Sequence, residues 1–311
     1  MMAHPGKLGI GGLATLALAL GASAGGGQEL AWTGSVQYAQ GKYIFTETTR
    51  SWSLFTGLTW QGNRLRLSLG LPVVAQDSRA ITYVGELPLP TGGPDQGAVA
   101  RKNEGEPVPM GGKGSGGGGP NSGGARVLPL GRQTTDPATD SVQAPGSTSL
   151  ELADPVVSGA LQLLAPRGSF MGLDLTASVK IPVRDLDSGV GTGETDFGVG
   201  LSASVGQQGV LFFADVGWWR YGDLPDLVLK DVVSYGVGVG KLFGTRVSGL
   251  VSVSGSTGVM DAVDPPAEVG GLLSIIVGEG KSVTVGGGFG LTEASPDLFV
   301  SLGSRITLRN H

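Results

Sequence analysis

Alternation of apolar residues with small or polar ones is the feature of this sequence that most constrains its fold. In residues 64–73 every second residue is leucine or valine, and the residues between them are arginine, serine, glycine and proline. Residues 169–183 and 195–205 repeat the pattern. Successive side chains of a β-strand point to opposite faces of the sheet, so each segment predicts a strand with one apolar face and one small or polar face.

Nine further segments follow the pattern less closely, and the first of them is interrupted near Gly41, which leaves its limits open. The twelve segments are 30–46, 51–60, 64–73, 154–164, 169–183, 195–205, 210–221, 232–241, 246–256, 267–277, 281–291 and 298–308. The connection after every second segment is a tight turn, and the other connections are longer, except for 47–50. Outer-membrane barrels have short periplasmic turns and long external loops. The sequence therefore predicts an all-β fold, an antiparallel up-and-down transmembrane β-barrel of about 12 strands. A soluble all-β protein is the alternative.

The composition fits a barrel better than a helical protein. Charged residues make up 15% of the chain, against about 25% in typical soluble domains. The 57 glycines exclude a mainly helical fold, because each interior glycine costs a helix about 1 kcal/mol relative to alanine. Water is absent from the centre of a bilayer, so a sheet that spans it has to be closed, with apolar side chains outside and small or polar ones inside.

The N-terminal segment has the pattern of an export signal. Lys7 precedes an apolar stretch at 10–22, and Ala22 and Ala24 form a small-x-small cleavage pattern around Ser23. The stretch is shorter than the roughly 20 residues of a spanning helix, which leaves an uncleaved anchor as the alternative. The predicted organisation is a signal peptide at 1–24, a single barrel domain at 25–308 and a short tail at 309–311.

A low-complexity insertion interrupts the barrel at 77–153. Residues 85–150 contain 16 glycines, 9 prolines and no aromatic residue. Such a segment buries too little apolar surface to offset its ordering entropy. We therefore expect a flexible external loop whose two ends dock on the rim, and folding into the lumen as a partial plug is the alternative.

The sequence lacks the residues that most catalytic and metal-binding sites require. There is no cysteine, and the only histidines are His4 and His311. The body of the chain therefore has no histidine for a nucleophile pair or a zinc site. We predict a protein that is not an enzyme and has no cofactor and no metal. The net charge of −5 also gives no basic face for nucleic acid.

The inner face of the predicted barrel holds the candidate functional residues. Eight ionisable side chains are assigned to it: Arg64, Arg66, Asp174, Lys180, Asp196, Asp215, Glu268 and Arg305. Lys180 and Asp196 lie at similar distances from one loop, which predicts an ion pair that braces the wall or contacts solute. Trp219 and Tyr221 end a strand on the external side. Three roles are open for them: packing, anchoring the barrel at the membrane interface, or stacking on a ligand. The other inner residues are mostly glycine and serine.

Five short pieces of the chain form a set by their order and spacing: Gly41-Lys42, Asp154-Pro155, and the stretches 180–182, 191–200 and 295–297. Together they resemble an outer-membrane β-barrel transporter family labelled for the meta-pathway of phenol degradation. The resemblance implies a 12-stranded barrel that takes up or exports small compounds, hydrophobic or aromatic ones among them.

The sequence thus predicts a passive channel or transporter for small solutes in the bacterial outer membrane. Its expected partners are the lipid bilayer, lipopolysaccharide, the outer-membrane assembly machinery and a small-molecule solute. A closed barrel without transport, which has a structural role or binds a partner through its loops, is the second hypothesis. An outer-membrane enzyme is the third.

Overall fold

A computed structural model describes residues 28–78, 80–84, 87–92, 99, 107–108, 149–165, 171–183, 191–224, 227–261 and 263–310. The chain is all-β and forms a closed antiparallel barrel of twelve strands, which confirms the predicted fold class. No helix among the described residues has the length and apolar character needed to cross a membrane. The segment predicted as a signal peptide lies outside the described residues, as does most of the insertion.

Fifteen strands are present in the described part of the chain. Twelve build the barrel: β1 (Glu29–Gly41), β2 (Thr49–Gln61), β3 (Leu65–Gln76), β7 (Val156–Leu164), β8 (Gly172–Lys180), β9 (Asp196–Gln207), β10 (Val210–Arg220), β11 (Val232–Phe243), β12 (Val247–Ser256), β13 (Ala267–Gly278), β14 (Lys281–Gly290) and β15 (Leu298–Asn310). Three short strands lie between β3 and β7: β4 (Thr82–Val84), β5 (Leu87–Leu89) and β6 (Ser149–Leu152).

The sheet closes because its first and last strands pair. Each barrel strand is antiparallel to its neighbours in the chain, β3 pairs with β7 across the insertion, and β15 pairs with β1. The far part of β3 pairs with β6, so β6 and β7 act as one strand broken at 153–155, where Pro155 lacks an N–H to donate. Closure gives each of the twelve barrel strands a partner on both sides and removes the free edges.

Alternate residues of each strand face outward or into the lumen, as the sequence pattern predicts. In β3 the side chains of Leu65, Leu67 and Leu69 are exposed. In β9 Leu201 is exposed, whereas the next residue, Ser202, is 5% exposed. The apolar residues therefore cover the outside of the barrel. They do not meet in a dry interior between two sheets, which excludes the soluble sandwich.

Aromatic side chains form a belt at each end of the outer face. At the end that carries the long loops, which we call the loop end, the belt is Tyr38, Trp52, Phe197, Trp218, Tyr235 and Phe289. At the opposite end, the turn end, it is Trp32, Trp60, Phe212 and Phe243. Two such belts around an apolar band are typical of barrels that span a membrane.

The limits of most strands differ by a few residues from the sequence prediction, and the differences in the first and last strands change the predicted organisation. The first strand ends at Gly41, and the loop that follows covers 42–48, so the predicted short connection at 47–50 is wrong. The backbone of Asp297 approaches Gly41 so closely that a Cβ there would lie 2.9 Å from its nitrogen, so this position requires glycine. The last strand continues to Asn310 and pairs with Glu29. Residues 309 and 310, predicted as a tail, are therefore part of the barrel.

Candidate functional site

A buried ionic cluster lies at the loop end of β8 and contains the predicted ion pair. Nζ of Lys180 lies 2.9 Å from Oδ2 of Asp196 and 3.3 Å from Oδ2 of Asp154. It also donates a hydrogen bond of 2.5 Å to Oγ1 of Thr192. The exposed fractions of the Lys180, Asp154 and Asp196 side chains are 0%, 2% and 0%. The ion pair between Lys180 and Asp196 is thus confirmed, and it is wholly removed from solvent.

The carboxylates of this cluster also accept hydrogen bonds from the backbone of two loops. Oδ1 of Asp196 accepts a hydrogen bond of 3.0 Å from the backbone N–H of Gly222, in the loop after β10. Oδ1 of Asp154 accepts one of 2.9 Å from the N–H of Val183, in the loop after β8. Buried ions are tolerated when further hydrogen bonds satisfy their lone pairs. The cluster therefore braces three neighbouring strands and two loops against each other.

Sequence reasoning did not include Asp154 among the site residues. The sequence nevertheless contained an indication that Asp154 belongs with the other two residues. Asp154 is in one of the five short pieces, and Lys180 and Asp196 are in two others. These three pieces, distant in the chain, meet in the ionic cluster. The remaining two pieces also meet: the N–H of Lys42 donates to Oδ2 of Asp297 at 3.2 Å. The pieces are thus contact sites between neighbouring strand ends.

Trp219 and Tyr221 pack inside the loop end of the barrel. They are 5% and 4% exposed, and their rings stack with centroids 6.1 Å apart. The Trp219 ring covers Gly198, where a Cβ would lie 2.5 Å from Cδ2 of the indole. Burial raises the pKa of Tyr221, and the charge of Asp196 raises it further. Of the interpretations open from the sequence, packing fits this geometry.

A second ionic group lies at the turn end of the lumen. A guanidinium nitrogen of Arg305 lies 2.6 Å from a carboxylate oxygen of Glu29, and the hydroxyl of Thr307 donates to the same oxygen at 2.8 Å. Arg66 is on the inner face of β3 at the same end of the barrel. Glu29 was missed because the predicted first strand begins one residue later, and its inward position depends on the pairing with β15.

The other predicted inner residues are spread along the wall. Asp174 is 2% exposed on β8, and both carboxylate oxygens of Asp215 lie 2.8 Å from the Cβ position of Gly236. Glu268 accepts a hydrogen bond of 3.3 Å from Ser254. Arg64 is in the turn before β3 and is exposed. The structure therefore groups Lys180 with Asp196 at the loop end and places Arg66 and Arg305 at the turn end, whereas Asp215 is in the middle of β10. A role in a solute path stays a prediction for all of the candidates.

The lumen also contains a group of apolar side chains that the sequence analysis did not single out. Five are buried and in contact, and a sixth, half-buried, packs against them: Ala39, Phe213, Leu250, Leu272, Phe299 and Leu211. They belong to β1, β10, β12, β13 and β15. We call this group the lumen apolar track. The inner face is therefore not lined by small residues alone.

The loops at the loop end share a separate apolar core. It joins residues from five of the six connections at this end, and its members include Tyr43, Ile81, Leu224, Val259 and Ala294. Residues of the insertion take part, since Val99 and Val108 are 0% and 5% exposed, and Val108 bridges to Phe45. We call these packed loops the loop cap. The first part of the insertion thus docks on the other loops, and residues 109–148 lie outside the described chain.

Comparisons with known proteins show which solved structures have a similar fold. No protein-family model and no curated protein sequence matches the chain. The fold is similar to the crystal structure of an outer membrane channel from Pseudomonas putida F1, with a TM-score of 0.55 and 9% sequence identity over 92% of this chain and 97% of that chain.

Two other solved structures match with lower scores. The beta domain of the Bordetella autotransporter Brka has a TM-score of 0.41 and 12% identity, over 91% of this chain and 100% of that one. A porin has a TM-score of 0.33 and 12% identity, over 90% of this chain and 100% of that one. At these identities the likeness concerns the fold.

Proposed function

We propose that this chain is an outer-membrane channel through which small solutes pass passively. The observation that carries the proposal is the division of the barrel surface into two faces. The outer face is apolar between two aromatic belts, and the inner face combines glycine, hydroxyl, charged and apolar side chains. A lipid environment suits the first face, and a path for solutes suits the second.

The arrangement of turns and loops supports an orientation. In outer-membrane barrels the short turns face the periplasm and the long loops face outward. The turn end, with Arg305 and Glu29, is then periplasmic, and the loop cap is external. In this placement the outer face contacts the bilayer and lipopolysaccharide. The segment 1–24 directs export and is cleaved, and the assembly machinery inserts the rest of the chain, through Asn310, as one barrel domain.

The proposed solutes are small and include hydrophobic or aromatic compounds. The lumen apolar track agrees with this class only in that the inner face is not wholly polar, since its five buried members contact each other. The five short pieces that resemble the family labelled for phenol degradation agree with it. The similar fold of the Pseudomonas putida protein, which is described as an outer membrane channel, supports a channel rather than an enzyme. The proposal requires no cofactor and no covalent step.

Flux into proteoliposomes tests the proposal. Purified barrel is reconstituted, and the entry of labelled solutes of increasing size is measured. We expect entry for the wild type and slower entry for Ser202→Phe, which places a ring in the lumen. Leu201→Phe, which changes the adjacent residue on the outer face, is the matched control and keeps the wild-type rate. Absence of entry for every solute, also after deletion of 109–148, contradicts the channel.

The loop cap favours a second function, a closed barrel that binds a partner through its loops. Packed loops with a common apolar core present a fixed surface and narrow the external opening. On this proposal, wild-type vesicles show no flux, and substitutions that loosen the cap, such as Leu224→Ser, create it. Flux in the wild type that is unchanged by Leu224→Ser contradicts it.

A further inference from the structure

Four cationic side chains lie on one side of the barrel at the turn end. Lys241 is on β11, Arg246 is in the turn between β11 and β12, Lys281 begins β14, and Arg309 is near the end of β15. All four are exposed. The other described turns hold less charge, since the turn between β2 and β3 contains Arg64 and the turn between β9 and β10 contains no charged residue. We call the four residues the basic arc, because they belong to the neighbouring strands β11–β15.

The strand register puts the basic arc at the level of the turn-end aromatic belt. Lys281 lies opposite Ile306, and Ile306 lies opposite Trp32, which belongs to that belt. Arg309 lies opposite Leu30, two residues beyond Trp32 toward the turn end. Aromatic belts mark the boundary between the apolar band of a barrel and the lipid headgroups. The cations of the arc are therefore at headgroup level.

Exposed apolar side chains continue up to these cations. Nζ of Lys241 lies 5.7 Å from the ring centroid of Phe243, a belt residue that is two positions nearer the turn. A lysine at a membrane interface lays its methylene chain on apolar surface and directs its ammonium group to the headgroups. Val277, at the end of β13, and Leu308, the neighbour of Arg309, are both exposed. The arc thus borders the apolar band directly.

The charges of the basic arc are not used within the described part of the chain. The ion pairs between described residues involve Lys180, Lys230 and Arg305, and none includes a member of the arc. One carboxylate, that of Glu279, lies in the turn between β13 and β14 and is exposed. The whole chain has a net charge of −5, so the arc does not result from a general excess of basic residues. Its cations are therefore available to an anionic partner at the membrane surface.

We propose that the basic arc binds the headgroups of anionic phospholipids, such as phosphatidylglycerol, in the periplasmic leaflet. Lysine and arginine donate charge-assisted hydrogen bonds to phosphate oxygens, and cations beside a membrane surface attract anionic lipids. The acyl chains of the bound lipid then lie on the apolar outer wall of β11–β15. The proposal rests on the membrane placement and orientation of the barrel described above, and it does not require transport.

Electron paramagnetic resonance of spin-labelled lipids measures the preference in a membrane. The barrel is placed in phosphatidylcholine vesicles with a trace of spin-labelled phosphatidylglycerol or phosphatidylcholine, and the immobilised fraction gives the relative association of each lipid. One cation near a membrane surface favours an anionic lipid about fivefold. The arc covers five of the twelve strands in one leaflet, about a fifth of the lipid contacts. We therefore expect the wild type to prefer phosphatidylglycerol about twofold on average.

Two double variants locate the preference. Lys241→Gln combined with Lys281→Gln should bring the two lipids toward equal association. Arg50→Gln combined with Arg220→Gln is the matched control, because both arginines are exposed and alternate with the outward Trp52 and Trp218 at the loop end; it should keep the wild-type preference. Higher ionic strength should lower the wild-type preference, because mobile ions screen exposed charges.

Three results would overturn the basic arc and leave the channel proposal intact. They are equal association of both lipids with the wild type, an equal loss in the loop-end control, and a preference that persists at high ionic strength. The ionic-strength series needs no variant, so it decides the question even if the substituted barrels fail to fold. Absence of any immobilised lipid contradicts the membrane placement together with the arc. A barrel that shows no solute flux and still prefers phosphatidylglycerol contradicts the channel and retains the arc.

Discussion

Replacement of Lys180 by methionine is the most direct test of the physical argument for the barrel wall. Methionine has a similar length and no charge, so the substitution removes the cation with little change of volume. It leaves the carboxylates of Asp154 and Asp196, whose oxygens lie 3.3 Å and 2.9 Å from the ammonium group of Lys180. Both carboxylates are almost fully buried, and the substitution removes the cation that Lys180 supplies to them.

The expected loss of stability follows from burial. Removing one partner of a buried ion pair costs about 3–5 kcal/mol, because an uncompensated charge stays in the interior. The ion pair between Lys230 and Asp261 is the matched control, since these side chains are 50% and 88% exposed. Exposed pairs contribute less than about 1 kcal/mol. Lys180→Met and Lys230→Met should therefore differ by a few kcal/mol.

Urea unfolding in lipid vesicles, followed by tryptophan fluorescence, measures the free energy of unfolding of each variant. Adding Asp196→Asn to Lys180→Met should recover part of the loss, because the second substitution removes one of the two buried carboxylate charges that Lys180 balances in the wild type. The barrel has to refold reversibly for this comparison, and electrophoretic mobility of unheated samples checks that it does.

One result refutes the reasoning about the ionic cluster. If Lys180→Met unfolds within about 1 kcal/mol of the wild type, as Lys230→Met is expected to do, then solvent or another group compensates the carboxylates. The cluster would then not act as a buried brace between β7, β8 and β9.

Three further predictions concern the faces of the wall, its glycines and its buried tyrosine. Leu201→Arg, near the middle of the outer face, should destabilise the barrel by about 2–4 kcal/mol, whereas Ser202→Arg should assemble and change conductance; equal yields of folded protein would contradict the assignment of faces. Gly238→Ala should cost about 1–3 kcal/mol, because its Cβ meets a phenyl ring at 2.5 Å, and Gly70→Ala, with the nearest atom at 3.8 Å, should be neutral in the same unfolding assay. Since burial raises the pKa of Tyr221, the folded state holds the phenol proton more tightly than the unfolded state. The free energy of unfolding should therefore fall as the pH rises above about 10, and an equal fall in Tyr221→Phe would show that other groups cause it.

The strand number and the assignment of faces were predictable because both depend on local patterns. A strand repeats every two residues, so the alternation in 64–73 or 195–205 identifies which side chains share a face without any knowledge of neighbours. Tight turns also have local signals, as at Gln208 and Gly209, which adopt φ values of 50° and 79° in the two-residue connection between β9 and β10. These signals were enough to count twelve strands and to predict the closed barrel.

The contacts between distant segments were only partly predictable. Equal distances from one loop indicated that Lys180 and Asp196 would pair, but nothing local places Asp154 beside them, since the insertion separates it from the strand that precedes it. The requirement for glycine at position 41 depends on the approach of Asp297, and the role of Glu29 depends on β15. In each case the partner lies in another part of the chain, and its position is set by barrel closure.

The sequence by itself determined that this chain is a sheet with an apolar outer side, because the period of a strand is a property of consecutive residues. Only the tertiary structure decided what the inner side contains. Whether glycine leaves a gap or supports a ring depends on the residue opposite it on the next strand, and that register is fixed when the twelve strands close. The lumen apolar track, the ionic cluster and the loop cap are all products of that closure.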